Sequence, residues 1–285
     1  MVKCQPGVDE MSIQCIALDL DRTTLNGEGR LSPGNRQALE YAIAKGVHIV
    51  IASGRPFASL PEDVTAVPGI EYAITSNGAA VYHLPTGRRL HSYAMTPGSV
   101  QAILALAAEE SVVCEAFVDG QAYAHAPYVA DPVKYGATPQ AVRYIQSSRH
   151  PVEDMATFIR LHLAELDSMD LIVGEETTKR RIWTRLESTV PDIYVTSSVQ
   201  QIIEISHRDA GKHSGVRFVA ERLGLSPADI AAFGDGDNDA DMLSYVGCGI
   251  AMANASPACL AAADHVTLDH REDGVAHGIY HMLKL

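Results

Sequence analysis

Short apolar runs alternate with segments of helical period along the first third of this chain. Residues 13–18 form an apolar run that ends on Asp19 and reads as a buried strand. Ser32 and Pro33 then supply a cap and a first-turn residue, and Ala38, Leu39, Ala42 and Ile43 recur at helical spacing until Gly46. Residues 47–52 are a second apolar run, ending at Ser53-Gly54-Arg55-Pro56. Strand, helix and strand at this spacing predict a βαβ unit with parallel pairing and a right-handed crossover. Residues 72–75 give a third strand, and 79–83 and 88–92 flank a turn at 84–87 as a hairpin would.

The pattern changes from about Thr96. A helix is predicted over 100–108, a strand over 112–118, a helix over 155–166, and adjacent strands over 193–196 and 201–205. Strands and helices mixed with hairpins indicate an α+β module in place of continued βαβ winding. The expected organisation is therefore an α/β, Rossmann-like parallel-sheet core from 12–84 and 207–285, with an inserted α+β domain at 85–206 and a loose tail at 1–11. The βαβ pattern returns as a helix over 215–223, a strand over 230–233, a helix from 240 and a strand over 248–251.

Composition narrows the function classes. A net charge of −13 without a run of Lys or Arg argues against a nucleic-acid surface. No stretch of about 18 apolar residues could span a bilayer, and the first residues lack the apolar core of a signal peptide. Five scattered cysteines without a CxxC pair read as reduced thiols, so a cytoplasmic protein is expected. Nothing in the sequence speaks to oligomeric state.

The chemistry-bearing residues lie at the ends of the predicted strands. Asp19 and Asp21 follow the first strand, and Asp235, Asp237 and Asp239 stand on a glycine turn after the strand at 230–233. In open parallel α/β sheets, ligands bind outside the C-terminal strand ends, where remote segments meet. Two carboxylates about 4 Å apart repel by roughly 4 kcal/mol at an effective dielectric of about 20, so such a group needs a cation or a shared proton. All-oxygen ligands suit magnesium better than zinc. A calcium loop is excluded, because Ala240 and Val246 stand where an EF-hand needs glycine and glutamate. His277 and His281 share a helix face but have no evident third ligand.

Asp19-Leu20-Asp21-Arg22-Thr23, Ser53-Gly54-Arg55, Lys212 and Gly234-Asp235-Gly236-Asp237-Asn238-Asp239 occur in the order of the four motifs of haloacid dehalogenase-like hydrolases. The chain most resembles their Cof-type phosphatases, which carry a large α+β cap between the second and third motifs. That resemblance spans about residues 12–280. It implies a magnesium-dependent phosphatase that acts on a small phosphomonoester, such as a sugar phosphate, through an aspartyl phosphate. Asp19 would be the nucleophile and Asp21 the general acid and base. Magnesium would be held by Asp19, the backbone carbonyl of Asp21 and Asp235, with Asp239 orienting metal-bound water. Ser53, Lys212 and Asn238 would hold the phosphoryl oxygens; Gly54, Arg55, Asn77 and Arg22 would lie near the substrate. A phosphomutase, or a phosphometabolite-binding regulator with little turnover, is the alternative implied by the same motifs.

Three departures from the family pattern bear on the site. Arg22 stands where the family has glycine, so the turn there either has negative φ or is strained. His213 follows Lys212 where glycine is usual, and Thr24 replaces an apolar residue.

Overall fold

The computed structural model describes residues 13–285, so the expected loose tail at 1–11 lies outside the described residues. The first strand, β1 (Cys15–Leu18), is buried along its whole length. Helix α1 (Pro33–Ala44) begins where predicted, with the Ser32 side chain accepting from the Asn35 backbone N–H. Strand β2 (His48–Ala52), helix α2 (Glu62–Thr65) and β3 (Ile70–Thr75) follow, then the hairpin strands β4 (Ala80–His83) and β5 (Arg88–Ser92).

After the hairpin the chain builds a second sheet. Helix α3 (Pro97–Glu110) leads into β6 (Val113–Val118) and β7 (Gln121–His125), then α4 (Ala126–Ala130), α5 (Val142–Ser148), β8 (Arg149–Val152) and α6 (Met155–Leu161). Strand β9 (Leu166–Ile172), helix α7 (Glu176–Thr189), β10 (Ile193–Thr196) and β11 (Ile202–His207) complete it. The return segment comprises α8 (Lys212–Leu223), β12 (Ile230–Gly234), α9 (Ala240–Tyr245), β13 (Cys248–Ala251), α10 (Pro257–Ala262), β14 (His265–Val266) and α11 (Gly274–His277).

The larger sheet has the order β14-β13-β12-β1-β2-β3-β4-β5. Its strands run parallel from β14 to β3, and β4 and β5 add antiparallel at one edge. Apolar side chains pack on both faces: Leu18, Ile49, Ile51 and Phe233 on one, Ala17, Val50, Ile74 and Ala232 on the other. Burial on both faces is why these strands read as continuous apolar runs. The parallel α/β core expected from the sequence is therefore the fold.

The smaller sheet has the order β10-β11-β9-β6-β7-β8 and is antiparallel except for β7 with β8. One face is covered by Val100, Ile103, Ile159, Ile182 and Leu186 from α3, α6 and α7. A division of the chain at 85 would split the β4–β5 hairpin, because both strands pair in the larger sheet. The chain leaves that sheet only after Ser92. The helix expected over 155–166 ends at Leu161, and its last apolar residue, Leu166, opens β9. Among the described residues no helix is long and apolar enough to cross a membrane.

Candidate active site

Strand β1 lies between β12 and β2, so three loops emerge beside one another at their C-terminal ends. Asp19 is the first residue beyond β1, and its backbone N–H donates to Phe233 O of β12 at 3.0 Å. The next five residues form a tight turn, closed by Leu25 N–H to Leu20 O at 2.9 Å. Thr24, which departs from the family pattern, donates its hydroxyl to Asp19 O at 2.6 Å, and Asn35 Nδ2 donates to Thr24 O at 2.9 Å. A polar side chain at 24 thus satisfies a buried carbonyl within the turn. Arg22 sits at φ 60°, ψ 16°, so the turn does require the left-handed conformation that glycine adopts most cheaply.

The acidic residues converge. Asp19, Asp235 and Asp239 are buried, and each offers a carboxylate oxygen within 4.8 Å of the others. Lys212 enters from the first turn of α8, fully buried, and its Nζ donates to Asp19 Oδ1 and Asp239 Oδ1, both at 2.7 Å. The second oxygen of Asp239 accepts from the backbone N–H groups of Asp235 and Gly236 at 3.0 and 2.9 Å. Thr23 Oγ1 donates to Asp235 Oδ1 at 3.2 Å, and Asn254 Nδ2 to Asp235 Oδ2 at 3.3 Å. Neither Thr23 nor Asn254 was among the candidates; Asn254 follows β13, as strand-end position alone would have suggested.

Burial sets the electrostatics. It pushes Asp19 well above the usual carboxylate range, with Lys212 opposing and Asp239 and Asp235 adding to the rise. It pushes Asp235 to about 7, again with Asp239 contributing. The Lys212 ammonium is held above its ordinary range: burial works against it, but the two carboxylates it bridges outweigh burial. A cluster that holds three acids and one cation has room in its charge balance for a further cation.

Ser53 is buried beyond β2, and its Oγ accepts from Arg55 N–H at 3.1 Å. Asn77 follows β3 at φ 52°; its N–H donates to Ser53 O, its Oδ1 accepts from Asn238 Nδ2 at 2.9 Å, and its Nδ2 donates to Glu204 Oε1 at 3.2 Å. Glu204 belongs to β11, so this row ties the smaller sheet to the loops of the larger one. Gly54 is packed against it: a Cβ there would lie 3.1 Å from Asn77 Oδ1 and 3.2 Å from Glu204 Oε1.

Asp21 has a cation bonded directly to it. Its carboxylate is half exposed and accepts both Arg55 Nε and Nη2, at 2.7 and 2.6 Å. Arg22 reaches back, with Nε 3.6 Å from Asp235 Oδ2, and lines a cleft of about 400 Å³ with Lys179, Arg180, Trp183 and Asp237. His213, the third departure, is mostly buried, which holds it below its ordinary range, and its Nδ1 has no hydrogen-bond partner among the described residues.

Comparison with known proteins bears on this arrangement. The family model described as haloacid dehalogenase-like hydrolase matches residues 16–279. The chain is 28% identical to phosphatase YwpJ of Bacillus subtilis over 95% of its own length and 100% of that protein. It is 26% identical to the 5-amino-6-(5-phospho-D-ribitylamino)uracil phosphatase YcsE of the same organism, over 96% and 97% of the two chains. The solved structure of a haloacid dehalogenase-like hydrolase from B. subtilis superposes with a TM-score of 0.81 at 27% identity, covering 94% of this chain and 99% of the other.

Proposed function

Because this chain belongs to the haloacid dehalogenase-like hydrolase family and is a phosphoric monoester hydrolase, we propose that it hydrolyses a small phosphomonoester, a sugar phosphate or similar metabolite, with magnesium and through an aspartyl phosphate on Asp19. One observation carries this reading: the Asp19 carboxylate lies buried at the sheet's crevice, bonded to Lys212 and grouped with Asp235 and Asp239. The relative named for a phosphoribityl compound supports the substrate class, since its phosphate sits on a polyhydroxylated chain.

The donor set fits magnesium, because the clustered ligand atoms are all carboxylate oxygens and the cluster carries more negative than positive charge. Asp19, Asp235 and the backbone carbonyl of Asp21 would hold the ion, with Asp239, already bonded to Lys212 and two N–H groups, behind them. When bound, magnesium withdraws charge from the phosphoryl oxygens and orients the ester.

Asp19 attacks phosphorus in line, the bond to the leaving oxygen breaks, and Asp21 gives that oxygen a proton. In the second half Asp21 takes a proton from water as the water oxygen attacks phosphorus, and Asp19 departs. Lys212 keeps its Asp239 anchor while Asp19 is esterified, so its positive charge stays against the phosphoryl oxygens. Ser53 and Asn238 supply further donors. The smaller sheet, tied down through Glu204, covers the crevice and limits water.

A screen of sugar, polyol and nucleotide phosphates with magnesium, read as phosphate release, tests the reading. Asp19→Asn is nearly isosteric but cannot act as the nucleophile; its rate should fall by at least about a thousandfold with thermal melting unchanged. A folded Asp19→Asn protein that turns over near the wild-type rate would exclude Asp19 as nucleophile.

A further inference from the structure

One continuous stack of side chains runs from the motif loops into the inserted segment. The Arg55 guanidinium grips Asp21 with two parallel hydrogen bonds, at 2.7 and 2.6 Å, and donates from Nη1 to Ser59 O at 3.1 Å. Its Cζ lies over the Tyr144 ring, 4.4 Å from the centroid. Tyr144 belongs to α5, on the inserted segment, and Arg149 of β8 also lies over its ring, Cζ to centroid 4.9 Å. Arg149 is itself held by both oxygens of the buried Glu115 of β6, at 3.0 and 3.1 Å. The Tyr144 ring is therefore placed by a rigid ion pair in the smaller sheet and places Arg55 in turn.

We propose that Tyr144 is a positioning residue, which fixes the Asp21 carboxyl through Arg55 when the inserted segment is seated on the core. A guanidinium fork bonded to both oxygens sets the carboxyl plane as well as its distance. Asp21 is half exposed, and no other side chain among the described residues is hydrogen-bonded to it, so its orientation depends on that fork. Among the described residues, Arg55 without the ring keeps only Ser59 O as a further anchor for its guanidinium. Seating the insert and aiming Asp21 at the leaving oxygen become one event, which confines productive geometry to the covered state. The inference rests on the role given to Asp21 above.

The test uses two esters with magnesium: β-glycerophosphate, whose alkoxide leaves poorly without a proton, and 4-nitrophenyl phosphate, whose phenolate leaves without help. Tyr144→Leu should lower kcat about tenfold on the alkyl ester and no more than about twofold on the aryl ester. Tyr144→Phe keeps the ring and should stay within about twofold of wild type on both. Arg55→Lys loses the fork and should show the same selective loss, and Tyr144→Leu should cost nothing more in the Arg55→Lys background. Melting curves of each variant separate loss of aim from loss of fold, and the Phe and Lys variants stand even where Leu at 144 unfolds the protein. Equal losses on the two esters, a Phe variant as poor as Leu, or losses that multiply in the double variant would overturn the proposal. Wild-type protein that released phosphate from neither ester would overturn the hydrolytic reading, and the positioning role with it.

Discussion

Arg22 is the residue at which sequence and structure pull hardest on one another. Its left-handed backbone costs a side-chain-bearing residue about 1 kcal/mol relative to glycine. The turn keeps it nonetheless, with Asn254 Nδ2 donating to its carbonyl at 3.0 Å and its guanidinium 3.6 Å from Asp235. More than half of that side chain is exposed, on the wall of the cleft beside Asp237. An anionic group entering the cleft would meet a fixed cation there. Arg22→Gly should therefore raise KM by about threefold for substrates with one anionic group and about tenfold for those with two, with kcat almost unchanged. Its Tm should hold, since glycine relieves the turn. Equal KM values across both substrate sets would leave Arg22 as a turn residue alone.

At the scale of single elements, legibility followed burial. Strands β1, β2, β12 and β13 are short and apolar because both faces are covered, and the sequence places all four to within two residues. Strand β8, Arg149–Val152, carries Pro151 at the edge of the smaller sheet and has no alternation to detect. Helix α7 is rich in Lys, Arg and Thr, and its start depends on an unusual cap: both Glu175 oxygens accept backbone N–H groups, from Thr177 and Thr178 at 2.8 and 2.7 Å. Hydrogen bonds from Thr178 and Thr177 hold the Glu175 carboxyl at about 2, below its ordinary 4.5. A depressed folded value means that the cap stabilises fully above pH 4.5 and is lost as pH falls through about 2. Glu175→Ala should lower the denaturation midpoint at pH 7, and the gap from wild type should shrink below pH 4.5. A gap that stayed constant down to pH 2 would remove the ionised cap as its cause.

For the whole molecule, the balance of charge in the crevice is the organising constraint. Three buried carboxylates and one ammonium are assembled from loops after β1 and β12 and from the start of α8, so folding must bring like charges together. A divalent ion that binds only the folded chain should stabilise it by mass action, about 2.7 kcal/mol at a hundredfold excess over its dissociation constant. For a chain of this size that is a rise of roughly 5 °C in Tm. Magnesium added to EDTA-treated protein should produce this shift without any substrate, and Asp235→Ala should lose most of it. Calcium should not restore turnover, because its looser coordination lets nucleophile and phosphorus drift from in-line geometry. An unchanged shift in Asp235→Ala would place the ion elsewhere.

The sequence by itself determined the parallel α/β core and the positions of Asp19, Ser53, Asp235 and Asp239 beyond strand ends, whereas Lys212, at the start of α8, stood out only through the motif resemblance. Those features are local: a run's apolar length reports burial, and the residue that follows it reports where the strand opens. Partners are not local. Thr23 meets Asp235 across 212 residues, and Arg55 meets Asp21 across 34. Periodicity tells that a face is covered and never by what. Strand β9 shows the limit most plainly. Its sequence intersperses Asp167, Ser168 and Asp170 among apolar residues, as a partly exposed strand would, yet every one of its seven residues is buried. The tertiary fold lays Asp167 against the Arg89 guanidinium of β5, at 3.0 and 2.7 Å, and sets Asp170 in register between Glu204 and Glu115. Burial and those two neighbours push Asp170 well above the usual carboxylate range. Polar strand residues become interior only when remote segments of the chain pack against them, and that energy is written in contacts between distant residues, which no local pattern carries.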